Sequence, residues 1–252
     1  MKLLLAFATL LALTGCVSMQ VEKRPAEPED MQLFLLIGQS NMAGRGRVEA
    51  ADKVPHPRVF MMTKKYAWVP AVDPVHFDKP ERIGVGLAST FARVIADERP
   101  EASIGLIPAA FGGSALGEWK PGGALYNNAL DRAKEAMAQG RLAGILWHQG
   151  ESDAASELAT TYPERFAAMI AQLRKDLGAE DVPVVVGEIG HFVENGAVIN
   201  AALAKVPASV PRCALVSAEG LSDQGDALHF DTPSFRELGR RYAEAWKSLA
   251  RR

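Results

Sequence analysis

Four short stretches of this 252-residue chain hold residue types that do chemistry. In Gly38-Gln39-Ser40-Asn41-Met42, a serine follows an apolar run and a glycine that permits a sharp turn. A serine with a free hydroxyl in that place can act as a nucleophile, although the same position also suits an ordinary helix cap. Farther on, Gly112-Gly113 lets backbone N–H groups approach a ligand closely, as an oxyanion hole needs, or simply makes a tight turn. His148-Gln149-Gly150-Glu151-Ser152-Asp153 packs a histidine, an amide and two acids together. Gln149 can donate its amide to a developing oxyanion. No second His or Cys stands near His148 at ligand spacing, so neither a metal nor any other cofactor is expected. Asp226-Ala227-Leu228-His229 completes the set, since three residues of separation on one turn bring two side chains to the same face. The carboxylate then fixes the imidazole tautomer while the other ring nitrogen faces a nucleophile. Nucleophile, base, orienter and anion donors make up the template of acyl transfer.

These groups need elements to hold them at one edge. Apolar runs at Leu33–Ile37, Arg58–Met62, Ser103–Pro108, Gly144–Trp147, Val182–Val186 and Cys213–Ser217 predict strands. Helical periodicity covers Gly86–Glu98, Asn128–Gln139, Pro163–Leu177 and Ser234–Ala250. The alternation implies an α/β fold whose parallel sheet is covered on both faces, with ligands beyond the carboxyl ends of its strands. Ser40, the glycine pair and His148–Asp153 all follow predicted strands. The irregular segment Thr63–Ile83 breaks the rhythm; it either walls the site or runs over the surface, pinned by Trp68.

A composition of 48% hydrophobic and 23% charged residues with a net charge of -2 fits one globular α/β core. The charge balance offers no basic patch and argues against nucleic acid as a partner. Met1-Lys2, an apolar run from Leu3 to Leu13 and Thr14-Gly15-Cys16 predict a secretory signal over residues 1–16, too short to span a membrane. Residues 17–30, with Glu22, Glu27, Glu29, Pro25 and Pro28, read as a flexible tether, and residues 31–252 as one catalytic domain. Cys213 is expected in the core rather than in a disulfide.

Gly38–Met42, Phe111–Ser114, Trp147–Asp153 and Asp226-x-x-His229 together resemble the SGNH hydrolases. The similar branch is the sialate O-acetylesterase-like domain with the family six acetylxylan esterases; Trp68–His76 and Glu118-Trp119 match it as well. The resemblance implies a flavodoxin-like three-layer α/β/α fold and metal-free hydrolysis of O-acetyl esters on an acetylated carbohydrate. It implies Ser40 as nucleophile, His229 as base and Asp226 as triad acid, with Glu151 the alternative acid. The oxyanion donors would be the Ser40 and Gly113 N–H groups and the Gln149 side chain, and the substrate contacts Gln39, Asn41, Trp68, Trp119 and His148. Leu13-Thr14-Gly15-Cys16 resembles a bacterial lipobox, which implies lipidation of Cys16 and a membrane anchor in the cell envelope; Val17 in place of Asp points to the outer membrane. Two other expectations stand beside the acetylesterase: the same machinery acting on other acyl esters, and a silent glycan-binding lipoprotein whose Trp68, Trp119 and Trp147 stack on sugars.

Overall fold

Strand β1 (Met31–Gly38) is the axis of the molecule, and its period-2 pattern decides what lies on each side. Leu33, Leu35 and Ile37 point into one hydrophobic cluster, Phe34 and Leu36 into the other, and all five are fully buried. The computed structural model describes residues 31–154 and 157–250, so the leader, Cys16 and tether expectations lie outside the described residues.

After β1 come a one-turn helix α1 (Ser40–Ala43), β2 (Val59–Met62), β3 (Trp68–Pro70), α2 (Leu87–Glu98), β4 (Ser103–Pro108) and α3 (Ala124–Met137). The chain continues through β5 (Arg141–His148), α4 (Tyr162–Leu177), β6 (Val184–Gly187), α5 (Gly196–Leu203), α6 (Val206–Ser209), β7 (Cys213–Val216) and α7 (Thr232–Ala250). The sheet order is β3-β2-β4-β1-β5-β6-β7, parallel except for the β2–β3 pair. Within it, β4-β1-β5-β6-β7 reproduces the 2-1-3-4-5 order of the flavodoxin-like sheet, with β2 and β3 added at one edge. Helices α3, α4 and α5 cover one face, and α2 and α7 the other. On the second face Phe34 meets Phe91 and Trp246 edge-on at 4.8 and 5.1 Å, the geometry that ring quadrupoles favour. This is the three-layer α/β/α arrangement expected from the sequence.

All six predicted strands and all four predicted helices form, with ends shifted by a few residues. Helix α3 begins at Ala124 rather than Asn128, because the Pro121-Gly122-Gly123 turn ends there and Gly123 caps the helix. Four further elements emerge: β3 inside the irregular 63–83 segment, the one-turn helix α1, and the short helices α5 and α6. Cys213, a free thiol, lies half-buried in β7, where burial pushes its pKa up to about 12.

Candidate active site

The site lies where the chain leaves β1 and β5, the crevice at which the strand order reverses. Gly38 stands at φ +129°, and a Cβ there would meet the His148 carbonyl oxygen at 2.2 Å, so only glycine fits. The Gln39 N–H donates to that same carbonyl at 2.9 Å, and the chain then coils into α1, closed by the Met42 and Ala43 N–H groups on Gln39 O. As the first residue of the turn, Ser40 has no acceptor for its own N–H within the helix. Beyond β4, the Phe111 N–H bonds to Gly38 O, and Gly113 takes φ +84° as the chain swings past Ser40. Gly112 and Gly113 line one cavity together with Ser40.

The fourth stretch is a knotted surface loop instead of the helical turn assumed from its spacing. Asp223 and Phe230 form an antiparallel bridge, Gln224 N–H donates to His229 O at 3.0 Å, and Ala227 adopts a left-handed φ of +54°. The loop wraps the Asp226 carboxylate in donors. Oδ1 accepts from the N–H groups of Leu228 (3.0 Å) and His229 (2.8 Å), while Oδ2 accepts from Gln224 Nε2 (3.1 Å) and His229 Nδ1 (2.6 Å). Partial burial works to raise the Asp226 pKa, but these donors outweigh it and hold the carboxyl far below its ordinary value. With Nδ1 protonated toward Asp226, Nε2 becomes the acceptor for Ser40 Oγ, 3.0 Å away. Ser40, His229 and Asp226 thus form an unbroken chain, in which a serine can lose its proton to an imidazole whose charge the carboxylate balances.

Glu151 takes a different place. Its Oε1 accepts from Asn41 Nδ2, and burial raises its pKa against the opposing pull of that bond. Asn41 is fully buried; the same Nδ2 donates to Leu228 O at 3.0 Å, and its Oδ1 accepts from Phe230 N–H at 3.3 Å. Asn41 therefore grips the chain on both sides of His229, and Glu151 holds Asn41.

Gln149 is the centre of a buried network. Its Nε2 donates to Asp153 Oδ2 (2.8 Å) and Ser114 O (3.1 Å) and lies 3.2 Å from Gln39 Oε1, while its Oε1 accepts from Tyr162 OH at 2.7 Å. Tyr162 OH in turn accepts from Trp147 Nε1 at 3.0 Å. With no solvent exposure and its amide hydrogens engaged, Gln149 is not directed into the cavity as an oxyanion donor would be. His148 is equally buried, with Nδ1 3.0 Å from Tyr242 OH; burial lowers its pKa to about 3 and keeps it neutral. Neither it nor Asn41 is open to a substrate. The tryptophans are framework too: Trp119 and Trp147 pack edge-on at 5.4 Å in the core, and Trp119 Nε1 donates to Ser114 Oγ at 3.0 Å. Trp68 lies over Gly105 in mid-sheet, away from the cavity.

What does line the cavity, of about 210 Å³, is Gln39, Ser40, Gly112, Gly113, Glu151, Ser152, Leu228 and His229, with Arg45, Lys79 and Arg82. The last three were not singled out in the sequence, although Lys79 and Arg82 lie in the segment expected either to wall the site or to run over the surface. Arg45 bonds Asp78 Oδ2 at 2.8 Å, and the Gly112 N–H bonds the same oxygen at 2.9 Å. Desolvation opposes ionisation of Asp78, but Arg45 and Gly112 prevail and lower its pKa. No group of three metal-ligating side chains occurs among the described residues.

A family model described as carbohydrate esterase, sialic acid-specific acetylesterase, matches residues 30–248. A probable carbohydrate esterase of Arabidopsis thaliana is 31% identical over 237 residues, covering 86% of this chain and 90% of the relative. A crystal structure of an Arabidopsis thaliana protein superimposes with a TM-score of 0.81 at 29% identity, covering 88% of this chain and 99% of the other. A Xanthomonas citri carbohydrate acetylesterase gives a TM-score of 0.67 at 22% identity, covering 88% of this chain and 56% of the other; at that identity the likeness concerns the fold alone.

Proposed function

Because this chain belongs to the sialic acid-specific acetylesterase family of carbohydrate esterases, we propose that it removes acetyl groups from sugar hydroxyls through an acyl-enzyme on Ser40. The observation that carries this reading is the Ser40 Oγ–His229 Nε2–Asp226 chain, 3.0 and 2.6 Å long, opening on a cavity of about 210 Å³.

In the proposed reaction His229 Nε2 takes the Ser40 proton as Oγ bonds to the acetyl carbonyl carbon. The carbonyl oxygen becomes an oxyanion beside the N–H groups of Ser40 and Gly113. Collapse of this intermediate breaks the bond to the sugar oxygen, which takes the proton from His229. Water, deprotonated by His229, then attacks the acetyl-serine; acetate leaves and Oγ recovers its proton. Asp226 holds the imidazole tautomer throughout and balances its positive charge. Glu151 acts through Asn41 to position the loop.

Acetate release by the full chain and by Ser40→Ala, on an aryl acetate, acetylated xylan and O-acetyl sialic acids, tests the reading. Release that falls at least about a thousandfold in the variant, with folding intact, supports it. Equal release by the two proteins refutes the serine mechanism. For location, we infer a lipid anchor on Cys16 in a bacterial envelope, from residues 1–30 alone. Incorporation of labelled fatty acid that disappears in Cys16→Ser tests it.

A further inference from the structure

Behind the glycine turn that passes Ser40 lies an ion pair that the proposed chemistry does not use. Arg45 Nη2 donates to Asp78 Oδ2 at 2.8 Å, with the two side chains 5% and 2% exposed. The same Asp78 oxygen accepts from the Gly112 N–H at 2.9 Å, while Oδ1 is buried with no partner among the described residues. One carboxylate oxygen thus serves two donors, a guanidinium and the backbone of the turn. The fit is close: a Cβ on Gly112 would stand 2.5 Å from Arg45 Nη2 and 3.0 Å from Asp78 Oδ2. Arg45 is itself fixed, since its Nη1 donates to Gly44 O at 2.8 Å and the Gly84 N–H bonds that carbonyl at 3.1 Å.

The pair sits next to the place where negative charge develops in the proposed reaction. The Phe111 N–H holds the start of the turn on Gly38 O at 2.9 Å, and Ser152 Oγ donates to Gly113 O at 3.1 Å. Between these points the Gly112 N–H on Asp78 is the tie that orients the next peptide, which carries the Gly113 N–H. That N–H has no acceptor among the described residues, and Gly113 is exposed where it lines the cavity. A carboxylate is a strong acceptor for a backbone N–H. Left uncompensated so close to a forming oxyanion, it would oppose the very charge that the turn has to stabilise. Arg45 removes that conflict, because it cancels the charge of Asp78 and leaves the bond to Gly112 in place.

We propose that Asp78 is a positioning residue that clamps the Gly112 N–H and so aims the Gly113 N–H at the oxyanion. Arg45 keeps that clamp free of net charge. The inference rests on the esterase reading above and adds the support behind its oxyanion donors. Neither side chain has to touch the substrate.

The test measures kcat and KM on a neutral aryl acetate, and the affinity of a small boronic acid that forms a tetrahedral adduct on serine, for the full chain and three variants. Arg45→Gln leaves the carboxylate uncompensated. Its kcat should fall by about a hundredfold with KM within about threefold of wild type, and the boronic acid should bind more weakly in step with kcat. Arg45→Gln with Asp78→Asn removes the charge yet keeps an oxygen for the Gly112 N–H, and kcat should return to within about tenfold of wild type. Arg45→Gln with Asp78→Ala is equally neutral but lacks that oxygen, and kcat should stay about tenfold or more below the asparagine double variant. If Arg45→Gln alone fails to fold, the two double variants, which bury no net charge at this place, still decide. Equal kcat in the two double variants would overturn the clamp, as would a loss confined to KM, the mark of direct contact between Arg45 and substrate. Lowered melting temperatures with kcat per folded molecule unchanged would make the pair purely structural and overturn it too. Ser40-dependent turnover by the wild type is measured alongside. Its absence fails the esterase reading itself; its presence with equal double variants counts against the clamp alone.

Discussion

Two regions meet at Ser40 and are built in opposite ways. Behind β5 lies a buried cluster of His148, Gln149, Asp153 and Tyr162, in which Gln149 is tied to Asp153 and Tyr162 and His148 Nδ1 to Tyr242, while His148 Nε2 has no partner among the described residues. Across the cavity, residues 222–230 form a loop whose Asp226 is exposed and whose conformation is held by its own backbone N–H groups. The buried region looks more like chemistry in the sequence, with a histidine, an amide and two acids close together, yet His148, Gln149 and Asp153 are fully buried and do not line the cavity. In the proposed reaction the exposed loop supplies the base, His229, and the acid, Asp226. Burial explains the division: a fully desolvated group has its protonation state fixed, while a group whose charge is stabilised at the surface stays ready to exchange protons.

The contrast between the two carboxylates is the sharpest place to break it. Asp226→Asn should lower kcat by about a thousandfold to ten-thousandfold with little change in melting temperature, because the imidazole loses its orienting charge. Glu151→Gln, which retains an oxygen for Asn41, should cost about tenfold or less. Steady-state kinetics on an aryl acetate decide, and a reversal of the two effects would make Glu151 the triad acid.

The buried side should respond in stability first. Tyr162→Phe removes the hydroxyl that serves Gln149 and Trp147, and should destabilise the fold by about 2–3 kcal/mol in urea denaturation. A loss near zero, with a large fall in kcat, would place this network in the reaction.

Acidification separates the regions again. The folded-state pKa of His148 lies near 3, below the ordinary value of 6.5, so between these pH values the unfolded chain binds the proton and the folded one does not. This group's contribution to stability is therefore complete above pH 6.5 and is lost as pH falls toward 3. His148→Asn should regain about 2 kcal/mol relative to wild type between about pH 6.5 and 5. A wild-type-to-variant gap that stays constant with pH would mean that His148 is not held neutral.

The smallest effect belongs to the backbone of the loop. Ala227 at φ +54° carries the strain of a left-handed residue with a Cβ. Ala227→Gly relieves that strain but loosens the unfolded chain, so stability should change by no more than about 1 kcal/mol. A larger loss would show that the Ala227 methyl group supports the loop.

How far the sequence could be read follows the same physics. The buried parallel strands and amphipathic helices announce themselves by period, and β1 carries both of its faces in Leu33–Ile37. Strand β3 does not, because Trp68–Pro70 is short, pairs antiparallel at an edge and takes its place from β2. Ser40, Asp226 and His229 were legible as residue types whose parts complete one another across the chain. The spacing of three between Asp226 and His229 suits a helical turn and this loop alike, so it does not reveal the local form. Gln149, Trp119, Trp147 and His148 have the residue types of oxyanion or sugar contacts yet are buried, because polarity and aromaticity in sequence do not say which side of a sheet edge a side chain faces. Arg45, Lys79 and Arg82 sit in segments without period, and only the tertiary anchors through Asp78 and Gly44 bring them to the cavity.

The most direct test of the central claim is covalent labelling with a fluorophosphonate, followed by peptide mass spectrometry, on the full chain and three variants. One adduct is expected, on the peptide containing Ser40, absent in Ser40→Ala, about a hundredfold or more slower in Asp226→Asn, and little changed in Glu151→Gln. An adduct on another residue, or undiminished labelling of Ser40→Ala, would contradict it.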